Sequence, residues 1–191
     1  MKYFIIAQPK AGIHLCGNLF TELGIQNSYY LLRHQNSLKY NRNLWNISLS
    51  NHSGVMKIEK GWAELIDMMP NDTFTLLQTS YSKKLYDKIK PYKVVYITRQ
   101  LEDIIESAKR MKNEKGVDTI KFTNKQIMEK FAPWNDIQNI FHLNFDDLVN
   151  SNIEVIDKLQ HYLYNRIGFD SKTVITNTLA NASPTKSHLR G

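Results

Sequence analysis

Lys2-Tyr3-Phe4-Ile5-Ile6-Ala7-Gln8 leads into Pro9-Lys10-Ala11-Gly12-Ile13-His14 and then into an apolar run from Leu15 to Leu23. The first segment is apolar and of strand length, the second holds Pro, Lys and Gly at a turn, and a helical pattern begins at once. A strand–loop–helix junction leaves backbone N–H groups at the helix N-terminus aimed outward, here beside a lysine, and so makes an anion site. It is not a Walker A loop: the G-x-x-x-x-G-K-[ST] spacing is absent, and no Ser or Thr follows the lysine to hold magnesium. The stretch predicts a phosphate-bearing ligand held without that hydroxyl.

With 191 residues, 42% of them apolar, the chain can bury a full core, and one domain over residues 1–191 is expected. No apolar run approaches a membrane span, and the N-terminal apolar segment is too short for the core of a signal peptide. Cys16, the single cysteine, excludes an internal disulfide and a cysteine-based zinc cluster, so a reducing cytoplasm is the expected compartment. A net charge of +7, with lysines dense from Lys83 to Lys93 and from Lys109 to Lys115, favours anionic partners: nucleic acid, acidic lipid or a small polyanion such as a nucleotide. The plainer reading of the Lys83–Lys93 group is a solvated face.

Working outward from the first junction, residues 33–55 are rich in Asn, Ser and His and read as long loops or short irregular elements. Residues 57–69 read as a helix with Trp62, Leu65, Ile66 and Met69 on one side, stopped by Pro70; Trp62, Met68 and Met69 are expected in the core. Phe74 to Gln78 reads as a buried strand and Ser82 to Lys90 as a short basic helix. Lys93-Val94-Val95-Tyr96-Ile97-Thr98 is the clearest strand, running directly into a helix from Leu101 to Met111. A helix over 124–132, a strand over 139–145, an amphipathic helix over 152–166 and a last short helical stretch complete the pattern. Strands alternating with helices predict an α/β fold of three layers, a mostly parallel sheet covered on both faces. Ligands in such sheets sit beyond the carboxyl ends of the strands.

The second junction places Arg99 at the carboxyl end of the clearest strand, with Ser107 eight residues later inside the next helix. A guanidinium offers a planar fork to phosphate oxygens, and a serine hydroxyl adds a neutral bond. Alone, such an arginine reads as a structural ion-pair partner and Ser107 as a surface serine. Together the junctions predict a ligand with phosphate at both ends.

These residues resemble the sulfotransferases that use 3′-phosphoadenosine 5′-phosphosulfate (PAPS). The family's first loop, P-K-[SG]-G-[TS]-[TS], stands here as Pro9-Lys10-Ala11-Gly12-Ile13-His14, and its R-N-P-x-D-x-x-x-S motif is matched at Arg99, Asp103 and Ser107. Phe141 to Leu148 is similar to the family's LxYEDL segment, with Phe145 in the tyrosine's place. Ser187-His188-Leu189-Arg190-Gly191 resembles the start of the C-terminal R-K-G phosphate loop, short of one basic residue. The resemblance implies a P-loop-like α/β fold and binding of PAPS, with 3′-phosphoadenosine 5′-phosphate (PAP) as product and no metal. It implies that Lys10 contacts the 5′-phosphosulfate and that backbone N–H groups from Ala11 through Gly12, Ile13 and His14 to Leu15 cradle the 5′-phosphate. Arg99 and Ser107, helped by Arg190 and Gly191, would hold the 3′-phosphate. Transfer would then rest on positioning and charge stabilisation, by analogy with phosphoryl transfer.

The departures fall at the catalytic base. The loop's hydroxyl pair is replaced by Ile13-His14, the segment similar to the family's K-T-H-x-P reads Gln78-Thr79-Ser80-Tyr81-Ser82, and the glutamate that some members carry on the first helix is Asn18. His14, Asn18 and Glu22, spaced by four, project along one helix face, and His14 is the base candidate carried by the loop itself; its plainer reading is a group that only hydrogen-bonds phosphate or caps the loop. Glu22, His34 and His52 are lesser ones. Three readings follow: a small cytoplasmic sulfotransferase acting on a hydroxyl or amine of a small-molecule or glycan acceptor, without nucleic acid or membrane as partner; a PAP- or PAPS-binding protein of the same fold without transfer; and a P-loop-type nucleotide kinase, which lacks its Walker lysine and magnesium hydroxyl.

Overall fold

The computed structural model describes residues 1–28, 45–47, 54–56, 62–116 and 125–182. Strand β1 (Lys2–Ala7) is buried along its whole length because it lies between two parallel neighbours, β5 (Thr73–Leu77) and β6 (Lys93–Thr98). Among the described residues, seven strands form one sheet. Beyond β6 comes β7 (Phe141–Asn144), and beyond β5 comes β4 (Gly54–Met56), which pairs with β3 (Trp45–Ile47); β2 (Gln26–Asn27) pairs with the start of β5. Among the described residues, β3 and β4 are the one antiparallel pair.

Alternation along β1 feeds two cores. Tyr3, Ile5 and Ala7 face α1 (Ile13–Glu22), α4 (Leu101–Lys115), α7 (Ile153–Tyr164) and α8 (Ser171–Ala180), packing among Cys16, Phe20, Ile104, Ile156 and Val174. Phe4 and Ile6 face the opposite layer, α2 (Trp62–Met68), α3 (Lys83–Ile89) and the 3-10 helix Ala132–Asp136, among Leu65, Leu85, Ile89 and Trp134. Burial on both faces is why the central strands read as continuous apolar runs. A lysine opens one of them because Lys2 Nζ donates to the carbonyls of Ile66 (2.7 Å) and Asp67 (2.9 Å), near the end of α2.

Several boundaries differ from the sequence expectation. Where long loops or short irregular elements are expected over 33–55, β3 and β4, the latter ending at Met56, form a short antiparallel pair; three-residue strands carry too little periodicity to read. The helix after β6 runs on to Lys115 and stops at Gly116, which takes φ 66. The helix expected over 124–132 is α5 (Lys125–Glu129) followed by the 3-10 turn, which carries a proline in its first turn. Met68 is about half exposed and not core, whereas Leu65, Ile66 and Met69 are buried. The Trp62 side chain and residues 57–61 lie outside the described residues.

Candidate functional site

Register builds the site. Ala7 pairs with Ile97 and Thr98 with Asn144, so the carboxyl ends of β1, β6 and β7 lie level and their loops open on one side of the sheet. That is where open α/β sheets take their ligands.

The loop after β1 turns sharply. Lys10 takes φ 65, and Gly12, the residue before α1, takes φ 90, a region that strongly favours glycine. The Ala11 N–H donates to Gln8 O at 3.2 Å and is used inside the turn. The helical ladder starts with Cys16 N–H donating to Gly12 O at 3.1 Å, and no side chain caps the helix. Backbone groups of the first turn are therefore directed beyond the helix end. The side chains of Ala11, Ile13 and Leu15 are buried in the core, which leaves them only their backbone for a ligand.

Phe145 opens α6 (Phe145–Val149), whose preceding residue, Asn144, accepts the Asp146 N–H at 3.1 Å. Its ring lies against Gly12, where a Cβ would meet Phe145 Cδ2 at 2.2 Å. The Arg99 guanidinium lies over the same ring, 4.3 Å from its centre, and donates through Nη1 to Lys10 O at 3.3 Å. Arg99 Nε is buried without a hydrogen-bond partner, and no ion pair closes on the group among the described residues. Burial lowers its pKa, opposed by the nearby Asp103, Asp146 and Glu106 carboxylates. It stays charged at neutral pH, since arginine ionises far above that range. The result is a guanidinium fixed in plane with donors to spare.

Helix α4 brings the other groups. Ser107 is half-buried; one turn on, Met111 Sδ accepts from Lys10 Nζ at 2.7 Å. A thioether is a weak acceptor that an oxyanion displaces readily. Arg110 shares that turn, three residues beyond Ser107 on the same helix.

His14 lies on the first turn of α1, where burial, and then the charge of Lys10, hold its imidazole below the usual pKa. Both causes favour the neutral imidazole. The other members of its expected stripe turn elsewhere: Asn18 Nδ2 donates to Asn181 O (3.1 Å), and Glu22 accepts from Asn181 Nδ2 (3.0 Å), joining α1 to the end of α8. On the far side of the loop, Tyr81 packs edge-on to the fully buried Trp134 with ring centres 5.2 Å apart, and the Trp134 indole N–H has no partner among the described residues. His34, His52, Arg190 and Gly191 lie outside the described residues. Among those described, no group of three or more His, Cys, Asp and Glu side chains could hold a metal, and no helix is long and apolar enough to cross a membrane.

No protein-family model and no curated protein matches the chain. Solved structures do. A mouse sulfotransferase, SULT7A1, complexed with PAP superposes with a TM-score of 0.60 at 10% identity over 94% of this chain. A sulfotransferase from Alicyclobacillus acidocaldarius gives 0.54 at 9% identity over 99% of this chain and 98% of its own. Retinol dehydratase, in complex with androsterone and the inactive cofactor PAP, gives 0.51 at 11% identity over 99% of this chain. The chain spans 65% of the mouse protein's length and 64% of the dehydratase's. The fold is therefore the α/β, P-loop-like fold of which sulfotransferases are examples, and at such identities the likeness concerns the fold alone.

Proposed function

We propose that this chain, as one domain over residues 1–191, binds PAPS and moves its sulfuryl group to a hydroxyl or amine of a small-molecule or glycan acceptor. One observation carries the reading: Arg99 donates to the Lys10 carbonyl, so the arginine of the second junction lies against the first loop, which supports reading the two motifs as one site. What supports the fit of the ligand is Arg99, whose buried Nε has no hydrogen-bond partner among the described residues. When bound, PAPS supplies the sulfuryl group and is left as PAP.

Each residue then has a part. The Lys10 ammonium neutralises charge on the 5′-phosphosulfate, and the first-turn N–H groups from Gly12 to Leu15 orient it. Arg99 and Ser107 hold the 3′-phosphate, with Arg190 and Gly191 as further partners. Neutral His14 accepts the acceptor's proton at a ring nitrogen. The chemistry rests on positioning and charge, in a soluble cytoplasmic protein that uses no metal, nucleic acid or membrane.

A second reading is favoured by Asn18, which is committed to Asn181, and by Gln78 and Ser80 in the places of lysine and histidine: a PAP-binding protein without transfer. PAP release from PAPS, measured with a panel of phenols, alcohols, amines and sugars, separates the two. Release lost in Lys10→Ala supports transfer. Binding of PAP without release for any acceptor supports the second reading. Release that is equal in wild type and Lys10→Ala contradicts the assigned role of the loop.

A further inference from the structure

Arg110 projects from α4 one turn beyond Ser107, beside Met111, whose sulfur touches the Lys10 ammonium. Side chains on a helix lean back toward its N-terminus, so a long residue at position 110 covers the turn that carries Ser107. The Arg110 Nε is buried and, like the Nε of Arg99, has no hydrogen-bond partner among the described residues. The two guanidiniums are near enough to repel, with Arg110 weakening the ionisation of Arg99. Asp103, Glu106 and Asp146 offset part of that charge from nearby positions, but none of them forms an ion pair with Arg99 among the described residues.

Two like charges with unused buried donors are unfavourable together unless an anion joins them. A monoester phosphate suits them: it carries close to two negative charges and three oxygens, enough for both forks and a serine hydroxyl. We propose that Arg110 is a further phosphate-binding residue, closing with Arg99 and Ser107 on one phosphomonoester group, the 3′-phosphate of the nucleotide. This rests on the nucleotide reading above and adds a residue that the two sequence motifs do not contain. Arg110 thereby sets preference for a nucleotide with a 3′-phosphate over one without.

Calorimetric titration with PAP and with AMP, on wild type, Arg110→Gln and Arg110→Lys, tests it. Arg110→Gln lowers PAP affinity about tenfold or more while AMP affinity changes by less than about threefold. Arg110→Lys, which restores the charge without the fork, recovers part of the loss. Thermal melting of the unliganded variants shows that they are folded. If wild type prefers PAP and Arg110→Gln keeps that preference, the assignment of Arg110 is overturned while the nucleotide site stands. Equal loss of PAP and AMP also overturns it, marking Arg110 as a general structural or electrostatic group. A wild-type chain that does not distinguish PAP from AMP overturns the nucleotide reading and this assignment together.

Discussion

Phe145 fills the space that a side chain at position 12 would need: a Cβ on Gly12 would meet Cδ2 of the ring at 2.2 Å and Cε2 at 2.4 Å. The same ring supports the Arg99 guanidinium. One aromatic side chain thus joins the first loop to the arginine of the second junction, and the contact is worth about 0.5–2 kcal/mol as a cation–π pair before any ligand binds.

Gly12→Ala is therefore doubly unfavourable, from the positive φ and from the ring. A stability loss of about 2 kcal/mol or more is expected in denaturant unfolding. Gly116→Ala is the control, because Gly116 has a similar φ of 66 but no atom of the described residues within 4 Å of its Cβ position. It should cost about 1 kcal/mol. Equal losses at the two positions would show that the Phe145 contact does not constrain the loop.

Arg99→Ala removes the guanidinium that reaches Lys10 O, and PAP affinity should fall about tenfold or more as a charge-assisted bond is lost. Lys83 is 81% exposed and paired with Asp87 on α3, so Lys83→Ala should change affinity by less than about twofold. Similar losses in the two variants would make Arg99 a structural arginine only.

The strands, and the places of Arg99 and Ser107 at a strand end and on the helix after it, were legible because their physics is local. β1 and β6 are buried on both faces, which leaves unbroken apolar runs, and Arg99 and Ser107 are set by one strand end and the helix after it. What could not be read depends on packing between distant segments. Nothing local at Gly12 announces the Phe145 ring, and nothing in the His14–Asn18–Glu22 stripe shows that Asn181 takes two of its members. Met68 was misplaced because the inward stripe of α2 runs through Leu65, Ile66 and Met69, which turns position 68 toward solvent.

His14 should titrate below about 6.5 in the unliganded chain, with burial the main cause and the Lys10 charge the second. Its folded pKa lies under the unfolded one, so the unfolded state takes up the proton first, and stability falls as pH drops from about 6.5 toward the folded value. Bound PAP brings negative charge to the loop and should raise the His14 pKa. NMR titration of the ring protons, with and without PAP, reads both effects. In turnover, His14→Ala should lower the rate and leave PAP affinity largely intact, whereas Lys10→Ala should impair both. An unchanged rate and pH profile in His14→Ala would remove it as the proton acceptor.

Thermal unfolding with and without PAP tests the central claim most directly. At a hundred times its dissociation constant, a ligand that binds only the folded state contributes about 2.7 kcal/mol. For a chain of this size that raises the midpoint by about 5–10 °C, and AMP at the same concentration should raise it less. No shift at millimolar PAP, or the same shift with AMP, would contradict a site built around Lys10, Arg99 and Ser107 for a nucleotide with phosphate at both ends.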